Sequence, residues 1–189
     1  MAPPDYAGRG DADVNASNET TNPRTILAAL DRASVCAGLA HADRAHLARL
    51  AERREYAPGE WLFHEATPRR WLGVVERGEV ELVRGSGGRE QRAALLGPGD
   101  LLSGGVLLDD LPHAASARTP GGAAVIQFRR SRVAALRTEH PTLFYRLASK
   151  VALSISERMR AAAEELARAA DFPPRPEPTE RVEDGTCAS

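Results

Sequence analysis

The feature that most constrains the fold of this chain is a succession of short apolar segments separated by glycine turns, between about Tyr56 and Arg129. The segments are too short for helices, and residues 79–83 alternate apolar and polar side chains with the period of a half-buried strand. The turns that separate them contain Gly59, Gly78, Gly85, Gly97 and Gly99. Closely spaced short strands of this kind predict an antiparallel sandwich, roll or barrel.

Helical patterns flank this block on both sides. On the N-terminal side, Thr25 can cap a first helix, and residues 41–54 predict a second one with apolar positions on one face. On the C-terminal side, a short helix is predicted over residues 131–138, and Pro141 opens a long one that runs to about Ala170. The predicted fold class is therefore α+β, mainly β: an antiparallel β-roll of the double-stranded β-helix or jelly-roll type, with N-terminal helices and a long C-terminal helix.

The two ends differ in composition from the middle. Residues 1–24 have few apolar positions and predict a disordered tail, whereas residues 171–189 predict a Pro-rich acidic tail. The predicted domain is residues 25–170. A formal net charge of −1 argues against a strongly basic nucleic-acid binder. The longest charge-free run, residues 119–128, is well short of the roughly 20 apolar residues of a membrane span, and two cysteines cannot build a disulfide framework. We therefore expect a cytoplasmic protein.

Four segments follow one another in this block: Pro58-Gly59-Glu60-Trp61-Leu62-Phe63, the stretch from Val74 to Leu82 around Gly78, Leu96-Gly97-Pro98-Gly99-Asp100-Leu101-Leu102, and the stretch from Leu107 to Ala115 around Pro112. Together they resemble the cyclic nucleotide-binding domain of the CRP/FNR family of bacterial regulators. The resemblance covers about residues 25–168 and is carried by the order and spacing of the segments. It implies a β-roll that senses a small ligand for signal transduction, with no enzymatic activity.

The same resemblance places a phosphate-binding cassette after Leu102, with several departures from the family pattern. Where the family has a glutamate for the ribose, this chain has Gly104, and where it has an arginine and then a hydroxyl residue, this chain has His113 and then Ala114. The candidate ligand-binding residues are Ser103, Gly104, Gly105, Val106, His113 and Ala114. Of these, His113 is the candidate partial cation, although an ordinary imidazole is mostly neutral near pH 7.

Two interpretations of this cassette stay open. In the first, it binds cyclic nucleotides weakly, or binds another small anionic ligand, and no other cofactor is expected. In the second, it is a plain loop in a ligand-free docking or structural subunit. No catalytic or metal-binding arrangement is recognisable, and we expect the adjacent loop acids Asp109 and Asp110 to face solvent.

The long C-terminal helix is the predicted interaction surface. Its apolar positions recur at three- or four-residue spacing, and the outer ones are Val151, Ile155, Met159 and Leu166. They predict either a homodimer through paired helices or docking on a different protein. The DNA-reading helix-turn-helix of the resembled family would follow this helix. Here residues 171–189 follow it, so no direct DNA binding is expected.

Overall fold

The computed structural model describes residues 22–85 and 90–169. The helices are α1 (Pro23–Arg32), α2 (His41–Leu50), α3 (Arg130–Glu139) and α4 (Pro141–Ala169), with 3-10 turns at Ser34–Cys36 and Gly104–Leu107. The strands are β1 (Ala51–Tyr56), β2 (Trp61–Phe63), β3 (Trp71–Gly78), β4 (Val80–Arg84), β5 (Gln91–Leu96), β6 (Leu101–Leu102), β7 (Ser116–Arg118) and β8 (Ala123–Arg129).

The strands form two four-stranded antiparallel sheets. The first has the order β1-β8-β3-β6 and the second the order β2-β7-β4-β5. Apart from the β4–β5 hairpin, paired strands are distant in sequence. For example, β1 pairs with β8 along its whole length, from Ala51 opposite Phe128 to Tyr56 opposite Ala123. This non-local pairing is what a double-stranded roll requires, and it confirms the predicted fold class.

Two local predictions were wrong. The helix expected over residues 41–54 ends at Leu50, because the chain continues as β1 and its backbone pairs with β8. The first helix begins at Pro23 rather than after Thr25, and the carboxamide oxygen of Asn22 caps it by accepting a 3.0 Å hydrogen bond from the Arg24 N–H. The predicted tails, residues 1–24 and 171–189, lie outside the described residues apart from residues 22–24.

The core lies between the two sheets and draws on both. It is a cluster of fully buried side chains with Leu62, Phe63, Trp71 and Leu82 packed against it; its members are Tyr56, Val75, Val80, Leu96, Leu102, Ala117, Ala123 and Val125. Each large aliphatic side chain buried in this way contributes roughly 1.5–3 kcal/mol. Because Leu102 belongs to this core, the segment that follows it starts from a rigid point.

The turn before β6 is held by its own aspartate. The Asp100 carboxylate accepts a 2.8 Å hydrogen bond from the Gly97 N–H, and the Gly99 N–H donates to the Val75 carbonyl at 2.8 Å. The next residues, Leu101 and Leu102, then pair with Val74 and Gly73 of β3. These hydrogen bonds and the pairing with β3 fix the direction of the backbone that leads into Ser103.

The structure divides into two compact units, one up to Ser154 and one from Ile155 onward. In the first unit, Leu143, Leu147 and Val151 of α4 are buried. In the second, residues 155–169 continue the same helix, and Met159 and Leu166 are exposed. No helix in the described part of the chain combines the length and the apolar character needed to cross a bilayer.

Candidate ligand-binding site

The predicted cassette is a tight turn followed by a short 3-10 helix. Ser103 has a left-handed backbone with φ 57°, and the 3-10 helix Gly104–Leu107 follows it at once. Val106 is buried within this turn, and its N–H donates to the Ser103 carbonyl at 3.1 Å. The Ser103 hydroxyl oxygen is itself shielded from solvent and has no hydrogen-bond partner among the described residues.

Gly104 lies where any side chain would meet apolar atoms. A Cβ built on it would be 2.7 Å from Cδ2 of Leu101 and 3.0 Å from Cγ1 of Val151. Both neighbours are buried side chains. The position at which the resembled family has its ribose carboxylate is therefore closed by packing in this chain.

His113 is buried against an aromatic face. Its ring stacks on Phe63 with a centroid separation of 3.7 Å and an interplanar angle of 11°. Burial, together with the positive charge of Arg69, lowers the pKa of His113 to about 4. This lowered pKa favours the neutral imidazole near pH 7 and argues against His113 as a partial cation. Ala114, the last predicted site residue, is exposed and adds no polar side-chain group.

A cation that the sequence analysis missed lies in the cassette. Arg69, in the loop between β2 and β3, places its Nη1 at the position that a Cβ on Gly105 would occupy. Its Nε donates a 3.2 Å hydrogen bond to the Pro112 carbonyl, and its Nη1 lies 3.0 Å from Oδ1 of Asp109. Its side chain is 12% exposed. The guanidinium therefore occupies the space that the absent side chain of Gly105 leaves open.

The two acids expected to face solvent are both exposed, and each also has a cationic partner. Asp109 pairs with Arg69, and Asp110 forms an ion pair with Arg130 at the start of α3. Arg69 and its pairing with Asp109 were missed because the two residues are far apart in sequence and no local pattern joins them. The only available signal was the pair of glycines at 104 and 105, which leaves room for a long side chain from elsewhere.

Backbone hydrogen bonds hold the Arg69 loop against the cassette. The Ala66 N–H donates to the His113 carbonyl at 2.8 Å, and the His113 N–H donates to the Thr67 carbonyl at 2.9 Å. The neighbouring Glu65 N–H donates to the Ser116 hydroxyl at 2.9 Å. The site therefore combines a glycine turn and a partly buried guanidinium, groups of the kind that bind anions, beside the aromatic stack of Phe63 and His113.

Comparison with known proteins agrees with this geometry. Residues 53–140 match the sequence profile of the cyclic nucleotide-binding domain. This segment belongs to the cyclic nucleotide-binding domain family. The match takes in β2 to β8 and the whole cassette from Ser103 to Ala114, and it confirms the predicted resemblance.

Two curated relatives carry the same domain. The cyclic AMP receptor protein of Thermus thermophilus is 34% identical over 107 residues, which are 56% of this chain and 50% of that protein. The HTH-type transcriptional regulator Cmr of Mycobacterium tuberculosis is 30% identical over 114 residues, which are 60% of this chain and 47% of that protein. This chain thus spans about half the length of the curated relatives it matches.

Solved structures of cyclic nucleotide-binding domains share the fold. A domain from Methylobacillus flagellatus has a TM-score of 0.68 at 16% identity, covering 78% of this chain and 83% of that one. The catabolite activator protein of Thermus thermophilus has a TM-score of 0.62 at 29% identity, covering 73% of this chain and 63% of that one. At 16% identity, the likeness to the Methylobacillus flagellatus domain concerns the fold alone.

The four predicted interaction residues of α4 do not share one environment. Val151 is fully buried, so it belongs to the core of the first unit and not to an exposed seam. In the second unit Ile155 is partly exposed, whereas Met159 and Leu166 are 69% and 72% exposed. The candidate seam therefore consists of Ile155, Met159 and Leu166.

Proposed function

We propose that this chain is a non-enzymatic regulatory domain of the cyclic nucleotide-binding type whose affinity for cAMP and cGMP is weakened, or redirected to another small anionic ligand. The family to which residues 53–140 belong supports the sensor-type role. The observation that carries the proposal is the neutral, buried His113, which stands where the resembled family has its phosphate arginine.

The size of the expected weakening follows from the missing contacts. A charge-assisted hydrogen bond is worth roughly 1.5–3 kcal/mol, and a neutral one to a ribose hydroxyl about 1 kcal/mol. Since about 1.4 kcal/mol corresponds to a factor of ten, loss of both weakens binding roughly 100-fold or more. The packing around Gly104 leaves no room for a ribose carboxylate to compensate.

Calorimetric titration of the 189-residue chain with cAMP and cGMP tests this proposal. We expect no saturable binding at micromolar concentrations of either nucleotide. The cyclic AMP receptor protein of Thermus thermophilus, titrated with cAMP in the same buffer, is the positive control. Micromolar binding of cAMP by this chain contradicts the weakened affinity.

A second candidate function is a ligand-free docking subunit. It is favoured by the exposed Met159 and Leu166, which with Ile155 repeat at helical spacing along one face of the second unit. The occupant that we favour is a second copy of this chain, because an apolar stripe at this spacing is complementary to itself. A different protein is the other possible occupant. Neither role includes direct contact with DNA, since the chain carries a net charge of −1 and residues 171–189 are acidic.

A further inference from the structure

Arg69 is a charged group in the cassette to which the functions above assign no role. The loop that carries it is anchored by the paired backbone hydrogen bonds between Ala66, Thr67 and His113. The guanidinium is therefore directed at Gly105 by the fold and does not depend on its ion pair to arrive there.

The contacts of this guanidinium leave part of its binding capacity unused. A guanidinium has five N–H donors in a planar fork, which matches two oxygens of a carboxylate or phosphate. Among residues 22–85 and 90–169, the Pro112 carbonyl and one carboxylate oxygen of Asp109 engage only part of that fork. Because Gly105 has no side chain, the guanidinium lies directly against its backbone.

Asp109 is the more exposed partner of this pair, and its Oδ1 also accepts a 2.9 Å hydrogen bond from the Leu111 N–H. Its side chain is 40% exposed, against 12% for Arg69, and it lies in the segment between the 3-10 helix and β7. An ion pair with one exposed member contributes little to stability. Exchange of the Asp109 carboxylate for an external anion therefore gives up an ion pair with an exposed carboxylate and the Leu111 hydrogen bond, while the Pro112 carbonyl still holds Arg69.

We propose that Arg69 is the anion-binding cation of this cassette and that Asp109 is an internal counter-anion that a phosphate group displaces. The inference rests on the proposed function, because it names the ligand class of the same site. Arg69 thus takes over, from the β2–β3 loop, the charge that position 113 does not supply.

The exchange favours a phosphate monoester over a cyclic phosphodiester. A monoester carries close to two negative charges near neutral pH, whereas a cyclic diester carries one, the same as the carboxylate it must replace. Because the Coulomb energy scales with charge, the dianion gains more from Arg69 than Asp109 does. The expected ligand is therefore a small molecule with a terminal phosphate.

Titration of the full chain at pH 7.5 and low salt with four probes tests the ligand class. The probes are inorganic phosphate, 5′-AMP, cAMP and adenosine. We expect both dianions to bind more tightly than cAMP, and adenosine not to bind. If cAMP binds as tightly as 5′-AMP or more tightly, the proposed displacement of Asp109 by a phosphate monoester is wrong.

Two substitutions with opposite effects test the roles of the pair. Arg69→Gln is expected to weaken phosphate binding roughly 10- to 100-fold, as expected for a lost charge-assisted contact. Asp109→Asn is expected to tighten it about tenfold, because it removes the competing anion. An ion pair with a purely structural role predicts no tightening on Asp109→Asn, so the opposite signs separate the two roles.

Matched controls are available next to the site and on the surface. Asp110→Asn removes a neighbouring acid that is 87% exposed, and Arg77→Gln removes an arginine that is 71% exposed. Both are expected to leave phosphate affinity within about twofold of the unaltered chain. If Arg69→Gln unfolds the chain, Arg69→Lys retains the charge without the fork and is expected to bind phosphate with intermediate affinity.

The outcomes separate this inference from the proposed function. Phosphate binding that Arg69→Gln and Arg69→Lys leave unchanged overturns the inference and leaves ligand sensing intact. Absence of binding by every phosphate-bearing probe, to both the unaltered chain and Asp109→Asn, overturns the inference and favours the docking function. Micromolar cAMP binding contradicts the weakened affinity of the proposed function. In that case the change in cAMP affinity caused by Arg69→Gln still tests whether Arg69 binds the phosphate.

Discussion

The guanidinium of Arg69 lies over Gly105, at a distance that leaves no room for a Cβ on that residue. Any residue other than glycine at position 105 would displace Arg69 from its contacts with Pro112 and Asp109. The positions of the two residues therefore depend on each other, although they belong to different loops.

The first prediction concerns the contact between Arg69 and Gly105. Gly105→Ala is expected to displace the Arg69 side chain and to cost about 1 kcal/mol of stability, since the neighbour is a flexible side chain rather than backbone. The chemical shift of the Arg69 Nε–H signal in NMR spectra measures the displacement, and chemical denaturation measures the change in stability. Gly121→Ala is the control, because a Cβ at Gly121 meets no atom within 4 Å. An unchanged Nε–H signal in Gly105→Ala would contradict the close contact.

The second prediction concerns the missing ribose carboxylate. Gly104→Glu is expected to destabilise the fold by roughly 2–4 kcal/mol, because it forces a charged side chain between Leu101 and Val151. It is therefore not expected to restore cAMP binding. Urea denaturation measures the change, and Gly121→Glu, at an exposed glycine with open space, is expected to be nearly neutral. Equal stability of the two variants would show that Gly104 is not closed by packing.

The third prediction is a loss of stability in acid that originates at His113. Its pKa is lowered from 6.5 to about 4, mainly by burial and then by Arg69, so the unfolded chain binds the proton more readily than the folded one. The free energy of unfolding should therefore be unaffected by this group above pH 6.5 and fall as the pH decreases towards 4. The full loss is about 3 kcal/mol at most.

Denaturation of the unaltered chain and of His113→Phe at pH 7 and pH 5 checks this. The phenyl ring keeps the stack on Phe63 but does not titrate, so this variant should lose less stability between the two pH values, by about 2 kcal/mol. His41→Gln, at an exposed histidine of α2, is the control and should behave like the unaltered chain. An identical pH dependence of all three proteins would rule out His113 as its source.

The fourth prediction concerns the exposed seam of the second unit. If two copies pair through it, Met159→Glu should weaken the dimer at least tenfold, since burial of a methionine is worth roughly 1.5–3 kcal/mol. Sedimentation velocity at micromolar concentration measures the oligomeric state. Ala161→Glu is the control, because residue 161 lies on the opposite side of the helix from Met159. A monomer before and after the substitution excludes pairing through this face at that concentration.

The local signals in the sequence anticipated most of the roll. The alternation in 79–83 and the glycine turns on either side correspond to β4 and its neighbours, and Pro141 does begin the long helix. Such features depend on residues a few positions apart, where backbone preference and side-chain period act directly. The order of the motifs was enough to predict the domain that residues 53–140 match.

Contacts between distant segments decided the rest. The charged segment Ala51–Tyr56 continued a helical pattern, but it is a strand because β8 offers it a pairing edge. Arg69 reaches Gly105 only because backbone hydrogen bonds hold its loop against His113. The sequence alone determined which turns and strands form and which polar groups the cassette lacks. Only the tertiary structure decided that Arg69 lies in the cassette, because its position depends on the space left by Gly105, which is distant in sequence.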